Sequence, residues 1–191
     1  MFELNREILI YINSFLQFDF WKNFSYLFSD PIFFLPVFLV AWLFCNFKLK
    51  KEESVEKKKG LLFIFYSIVF ALSTNLLFQR FFHFDRPESC PIDKLIIDHY
   101  PDASFPSDHA TVSFSFLFSL YFAYKRTFWI FLPFVICMNF SRIMVCVHWP
   151  FDIVVALVII WAFLVFKFLK DLKIFEKLNN FILKIASFVK L

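Results

Sequence analysis

Residues 61–81 read LLFIFYSIVFALSTNLLFQRF, and no lysine, arginine or carboxylate interrupts positions 61–78. At 1.5 Å of rise per residue, about 20 such residues cross a hydrocarbon layer of about 30 Å, so the stretch is predicted to be a transmembrane helix that ends where Gln79 and Arg80 begin. Four further stretches, near 30–47, 107–124, 127–147 and 150–169, are long and apolar enough for the same reading. The whole chain agrees. Hydrophobic residues make up 60% of its 191 positions, 34 of them Phe, and there is a single Gly. A water-soluble fold would have to expose too much of that surface. The fold class expected is all-α, a polytopic membrane helix bundle of about five transmembrane helices, forming one domain over residues 1–191.

Charge orients the bundle. Lys48, Lys50, Lys51, Lys57, Lys58 and Lys59 crowd the first connection, and Lys125 and Arg126 form the third. With alternating spans these fall on one side together with the lysines after residue 167, and the positive-inside rule makes that side cytoplasmic. The connection from Phe82 to Asp108, rich in aspartate, then faces outward. After it, residues 174–189 place Ile174, Leu178, Phe181, Ile182 and Ile185 on one helical face, with Lys173, Lys177 and Lys184 on another. That segment is predicted to lie on the membrane surface. The first 20 residues carry a weaker stripe (Leu4, Ile8, Tyr11, Phe15), broken by Asn13, Gln17 and Asp19, and fit an interfacial helix or a short sixth span, of which the interfacial helix is preferred. MFELNREILIYINSF has neither a basic start nor a small-residue cleavage site, so it does not read as a removable signal peptide. The cysteines at 45, 90, 137 and 146 lack metal or redox spacing. Three are expected to pack as small hydrophobes, and a Cys90–Cys146 disulfide is not expected.

Alternation brings three distant stretches to the outer surface. Gln79, Arg80, His83, Arg86 and Pro87 close the second span, and Pro106-Ser107-Asp108-His109 opens the third. Ser141, Arg142, His148 and Asp152 straddle the turn between the fourth and fifth. Ionisable groups at a membrane are expensive unless they are paired or functional, so the gathering is itself a site hypothesis. Arg86 and Arg142 are permanent cations whose forked donors suit phosphate oxygens. Ser107 is placed to cap a helix whose first N–H groups point the same way. His148 and Asp152, four residues apart, suit a carboxylate that holds one ring nitrogen and leaves the other available. His109 is a second histidine in different surroundings, able to protonate a leaving oxygen while His148 attacks phosphorus.

On these residues the sequence resembles the type 2 phosphatidic-acid phosphatases, whose signatures are K-x6-RP, PSGH and SR-x5-H-x3-D. The third is complete as SRIMVCVHWPFD, Ser141 to Asp152. The second stands as PSDH, with Asp108 in place of Gly, and the first as QRFFHFDRP, with Gln79 in place of Lys. The resemblance implies a catalytic core over 61–169. In it His148 is the nucleophile that forms a phosphohistidine, Asp152 orients it, and His109 is the general acid. Arg86, Ser107 and Arg142 grip phosphate, with no metal and no other cofactor. Gln79 is carried over as a phosphate contact through its amide, without the lysine's charge. The wording DASFPSDHAT and the small size look most like the bacterial undecaprenyl-diphosphate phosphatases. That implies a multi-pass protein of the bacterial inner (cytoplasmic) membrane, with its active site facing the periplasm or outside. Its partners would be a lipid phosphate substrate and the lipid bilayer, with no nucleic acid.

Other readings make distinct claims. The same residues would serve a phosphatase of phosphatidic acid, phosphatidylglycerophosphate or lipid A, or a lipid phosphotransferase. A metal or proton transporter using His109, His148 and Asp152 is a reading from a different class, but the span interiors lack the midplane ionisable groups of a pathway. Thr111, Ser115 and Ser119 are read as a helix-packing stripe. Pro150 is placed at the first turn of the last span, where its missing N–H does no harm. His83, Asp85 and His99 match no signature and are read as solvated loop residues. Asp108 has no account at this level.

Overall fold

The computed structural model describes residues 2–29, 43, 51–82, 84–87, 90, 92, 104–156 and 173–188. Among them every regular element is helical: α1 (Phe2–Asn13), a 3-10 turn (Ser14–Gln17), α2 (Asp19–Ser29), α3 (Lys51–Phe81), α4 (Asp108–Ala123), α5 (Lys125–Met144), α6 (Pro150–Ala156) and α7 (Lys173–Phe188). Two described stretches are long and apolar enough to cross a membrane, Val55–Phe81 and Lys125–Met144. They correspond to the spans read at 61–81 and 127–147. The span read at 107–124 is a helix of 16 residues. The span at 30–47 lies outside the described residues except for Leu43, as do the part of the last span beyond Ala156 and loop residues 83 and 99.

α3 and α4 form the centre. Leu61, Ile64 and Ile68 on one helix meet Val112, Phe116 and Leu120 on the other, each set recurring every three or four residues and so sharing one face. Their ends at Gly60 and Tyr124 can approach because residue 60 is the chain's glycine. A Cβ there would meet the Tyr124 hydroxyl at 2.8 Å, and that hydroxyl donates to the Lys57 carbonyl at 2.5 Å. The stripe of Thr111, Ser115 and Ser119 is buried, as a packing face should be. Ser115 and Ser119 return their hydroxyls to carbonyls one turn back. α7 forms over the segment read as amphipathic and touches α3 through Phe175 and Tyr66. It leaves Ile174, Leu178, Phe181 and Ile185 exposed.

The amino-terminal helices are more deeply engaged than an interfacial reading implies. Asn13, which interrupts the apolar stripe, is buried and donates to the Met144 carbonyl at 2.9 Å. Its Oδ1 accepts from the Ile92 amide at 3.1 Å. Asn5 Oδ1 accepts from the Phe151 amide at 3.0 Å. Leu9 joins Ala110, Ile143, Cys146, Ile153 and Ala156 in a buried cluster. Asn5, Leu9 and Asn13 are spaced by four and lie on one face of α1, which is thereby fastened to the α5–α6 corner.

That corner has a defined chemistry. α5 ends with Cys146 N–H donating to the Ile143 carbonyl and Val147 N–H to the Arg142 carbonyl, the paired pattern of a Schellman C-cap. The motif requires a left-handed residue after the cap, a place usually held by glycine, and here Cys146 takes it with φ 62°. Cys146 is also bonded to Cys90, with Cα atoms 6.4 Å apart. This corrects the expectation that both would remain thiols. The two are 56 residues apart in sequence, so no local signal pairs them.

The turn and the crosslink can be separated experimentally. Cys146→Gly is expected to cost only the disulfide, about 2–5 kcal/mol. Cys146→Ala should cost about 1 kcal/mol more for holding a Cβ in left-handed backbone. Thermal melts in detergent should therefore rank wild type above C146G and C146G above C146A. Coincident melts of the two variants would refute the strained turn.

Candidate active site

The site is assembled at the end of the bundle where α3 stops, α4 starts and α5 turns into α6. Ser107 caps α4, its side chain accepting from the Ala110 amide at 3.4 Å, and Asp108 opens the first turn. An aspartate there is favoured by the helix dipole. Its carboxylate also receives the amides of two α3 residues one turn apart. Gln79 Nε2 donates to Asp108 Oδ1 at 2.9 Å and to the Pro106 carbonyl at 3.1 Å. Asn75 Nδ2 donates to the same Oδ1 and to the same carbonyl, and Asn75 Oδ1 accepts from Thr111 at 2.9 Å. The two departures from the signatures thus contact each other. Asp108 gains a structural account, as the acceptor that fastens the start of α4 to α3.

His148 lies on the corner, buried, with Nδ1 at 2.9 Å from the Ser104 carbonyl. A carbonyl only accepts, so Nδ1 carries the proton and Nε2 holds the lone pair. Asp152 Oδ2 stands 3.5 Å from the same Nδ1. That oxygen accepts from the Ser104 hydroxyl and, at 2.9 Å, from the Trp149 amide. Asp152 therefore works twice. As the third residue of α6 it reaches back to the amide preceding the helix, half of a capping box, and from the same position it faces the imidazole. Pro150 begins α6 as expected.

Sequence reasoning missed Ser104, which contacts both members of the pair. It departs from no signature, and its role depends on a partner 44 and another 48 positions away.

Two arginines bond to carbonyls around this corner. Arg86 is half-buried and donates from Nη1 to the Val147 carbonyl at 2.8 Å, next to the histidine. Arg142 is 1% exposed, and its Nη1 reaches the Ser29 carbonyl at the end of α2 at 3.0 Å. His109 is half-buried on the first turn of α4. The next residue, Ala110, packs against Cys146 and Ile153, which flank His148 in sequence. The structure thus gathers residues 79, 86, 107, 109, 142, 148 and 152 at one end of the bundle. Asp85, read as a solvated loop residue, is exposed, and its carbonyl accepts from the Trp149 indole at 3.0 Å. Among the described residues no three His, Cys, Asp or Glu side chains converge as a metal site.

A cavity of about 940 Å³ opens beside this pair, with Arg86 and Asp152 in its lining. Much of its wall is aromatic: Phe78, Phe82, Phe84, Phe105, Trp149 and Phe151. The Arg86 and Asp152 side chains and an apolar chamber therefore adjoin.

Residues 59–174 match the PAP2 superfamily. The chain is 31% identical over 134 residues to undecaprenyl-diphosphatase BcrC of Bacillus subtilis (strain 168), covering 69% of this chain and 65% of that protein. It is 27% identical over 154 residues to the bacitracin transport permease protein BcrC of Bacillus licheniformis, covering 79% of this chain and 72% of that one. The crystal structure of LpxE from Aquifex aeolicus superposes with a TM-score of 0.59 at 26% identity, over 82% of this chain and 89% of that one.

Proposed function

The chain belongs to the PAP2 superfamily, and from that premise we propose that it is a membrane lipid phosphatase acting on a prenyl diphosphate such as undecaprenyl diphosphate. The observation that carries this reading is the tautomer of His148. Its Nδ1 proton is committed to the Ser104 carbonyl, which assigns the nucleophile's role to Nε2, and Arg86 is bonded to the carbonyl of the preceding residue, Val147. In the proposed reaction Nε2 attacks the terminal phosphorus. A P–N bond forms as the P–O bond to the lipid phosphate breaks, and His109 supplies the proton that the departing oxygen takes. Water then attacks the phosphohistidine with His109 as base, releasing inorganic phosphate and restoring the imidazole. Arg86, Arg142, Ser107 and the first N–H groups of α4 stabilise the charge on the non-bridging oxygens. Asp152 holds the ring and offsets the positive charge it acquires.

Two observations support an outward-facing site in a bacterial cytoplasmic membrane. The basic connections lie at the opposite ends of the spans. The Cys90–Cys146 disulfide joins the site's own loop to the turn before His148, and such bonds persist in oxidising compartments. The relatives, which carry the substrate in one of their names, are bacterial.

A panel of lipid phosphates in detergent, assayed with EDTA present, tests the reading. Prenyl diphosphate is expected to release phosphate at an undiminished rate under chelation, with prenyl monophosphate as the other product. Loss of activity on chelation that added divalent cation restores would overturn the metal-free step. Transfer of labelled phosphate to a lipid or sugar acceptor instead of water would make the protein a phosphotransferase. Cation uptake by proteoliposomes without phosphate release would favour transport.

A further inference from the structure

Gln79 stands where the phosphatase signature carries lysine, and the two N–H bonds of its amide go to the Pro106 carbonyl and to Asp108. That position brings no charge to an incoming phosphate, and its donors are already spent on the α4 start. A cation is supplied instead by another helix. Arg6 of α1 lines the same cavity as Arg86 and Asp152.

Its placement is fixed by its neighbours. Asn5 is tied to the Phe151 amide, and Leu9 is buried against the α5–α6 corner at 1% exposure. The backbone between those anchors has one rotational setting, and in it Arg6 and Ile10, one turn apart, both face the chamber. Arg6 itself is exposed, so its guanidinium meets an entering ligand without breaking a buried contact.

We propose that Arg6 is a specificity-determining residue that grips the inner, lipid-attached phosphate of a diphosphate, and so makes the site prefer diphosphate over monophosphate lipids. The inference rests on the phosphatase reading above and deepens it. The terminal phosphorus must sit at His148, between Arg86 and the start of α4. The tail must run into the aromatic part of the cavity, along Phe78 and Phe82. The inner phosphate lies between these two ends, on the side walled by α1. In a diphosphate this group leaves as the lipid monophosphate and gains negative charge as the P–O bond breaks, and a guanidinium there stabilises it. A monophosphate lipid has an alcohol at the same place and gains nothing from the arginine.

The test uses farnesyl diphosphate and farnesyl monophosphate in detergent micelles, with kcat/KM measured for wild type, Arg6→Ala and Arg6→Lys. The ratio of diphosphate to monophosphate efficiency is expected to fall about 10- to 100-fold in R6A, the size of one charge-assisted hydrogen bond. R6K should recover part of it, since lysine restores the charge but not the fork. Melting temperatures of the three proteins separate this effect from any loosening of α1, because loosening would lower both activities together. An unchanged ratio in R6A, with wild type active on either substrate, overturns the proposal alone. A wild type inert toward both overturns the phosphatase reading and this one with it.

Discussion

Alanine at position 148 is expected to lower phosphate release by roughly three orders of magnitude or more, since it removes the group that would form the covalent intermediate. The imidazole is buried, and one of its nitrogens is fixed by the Ser104 carbonyl, so no neighbouring side chain can move into its place without rebuilding the corner. Two measurements complete the test. Acid-labile, base-stable phosphoenzyme should be trapped from wild type and be missing from His148→Ala. A thermal melt should show the variant still folded, because the lost side chain leaves the disulfide and the α6 cap in place. Full activity in a folded H148A protein would refute a phosphohistidine at this residue.

The second large effect is expected at Asp152. Asp152→Asn keeps the size of the side chain but replaces a two-oxygen acceptor by an amide with one oxygen and one donor group. Its Oδ2 now receives the Ser104 hydroxyl and the Trp149 amide while facing the imidazole proton. An amide NH2 turned toward any of these sets donor against donor. It also removes the negative charge that would steady the imidazolium-like transition state. A fall in kcat of about 10²- to 10⁴-fold is expected, with a smaller change in KM, by analogy with acid-to-amide changes in other carboxylate–histidine pairs. The pH dependence should shift as well, because the basicity of the attacking ring depends on that charge. A decrease under tenfold with an unmoved pH profile would reduce Asp152 to a helix cap.

The parts of the fold legible in sequence were those whose signal is local. The uninterrupted apolar run at 61–78 became the core of α3, although the helix extends back to Lys51 because lysine and glutamate are good helix formers outside hydrocarbon as well. Ser107 before an apolar segment was readable as a cap, and Pro150 as a first-turn residue, from short-range rules alone. The third signature was readable because its serine, arginine, histidine and aspartate lie within twelve positions. What escaped was non-local. Asn13 looked like a defect in a stripe because its acceptor, the Met144 carbonyl, lies 131 residues away. Ser104 and Asn75 look like ordinary polar residues until the loop folds back. Asp108 is explained only by Gln79 and Asn75 from another helix, and Cys146 read as a small hydrophobe because nothing local points to Cys90.

The reach from Asn13 to Met144 also sets an order of events during synthesis. At 5–20 residues per second, the ribosome needs on the order of 10 s to make the segment that separates them. Throughout that interval α1 is complete while the carbonyl it must meet does not yet exist. The helix made first is therefore docked late, after the corner between α5 and α6 has been made. Until then its asparagine and Leu9 wait without the partners that cover them in the finished fold.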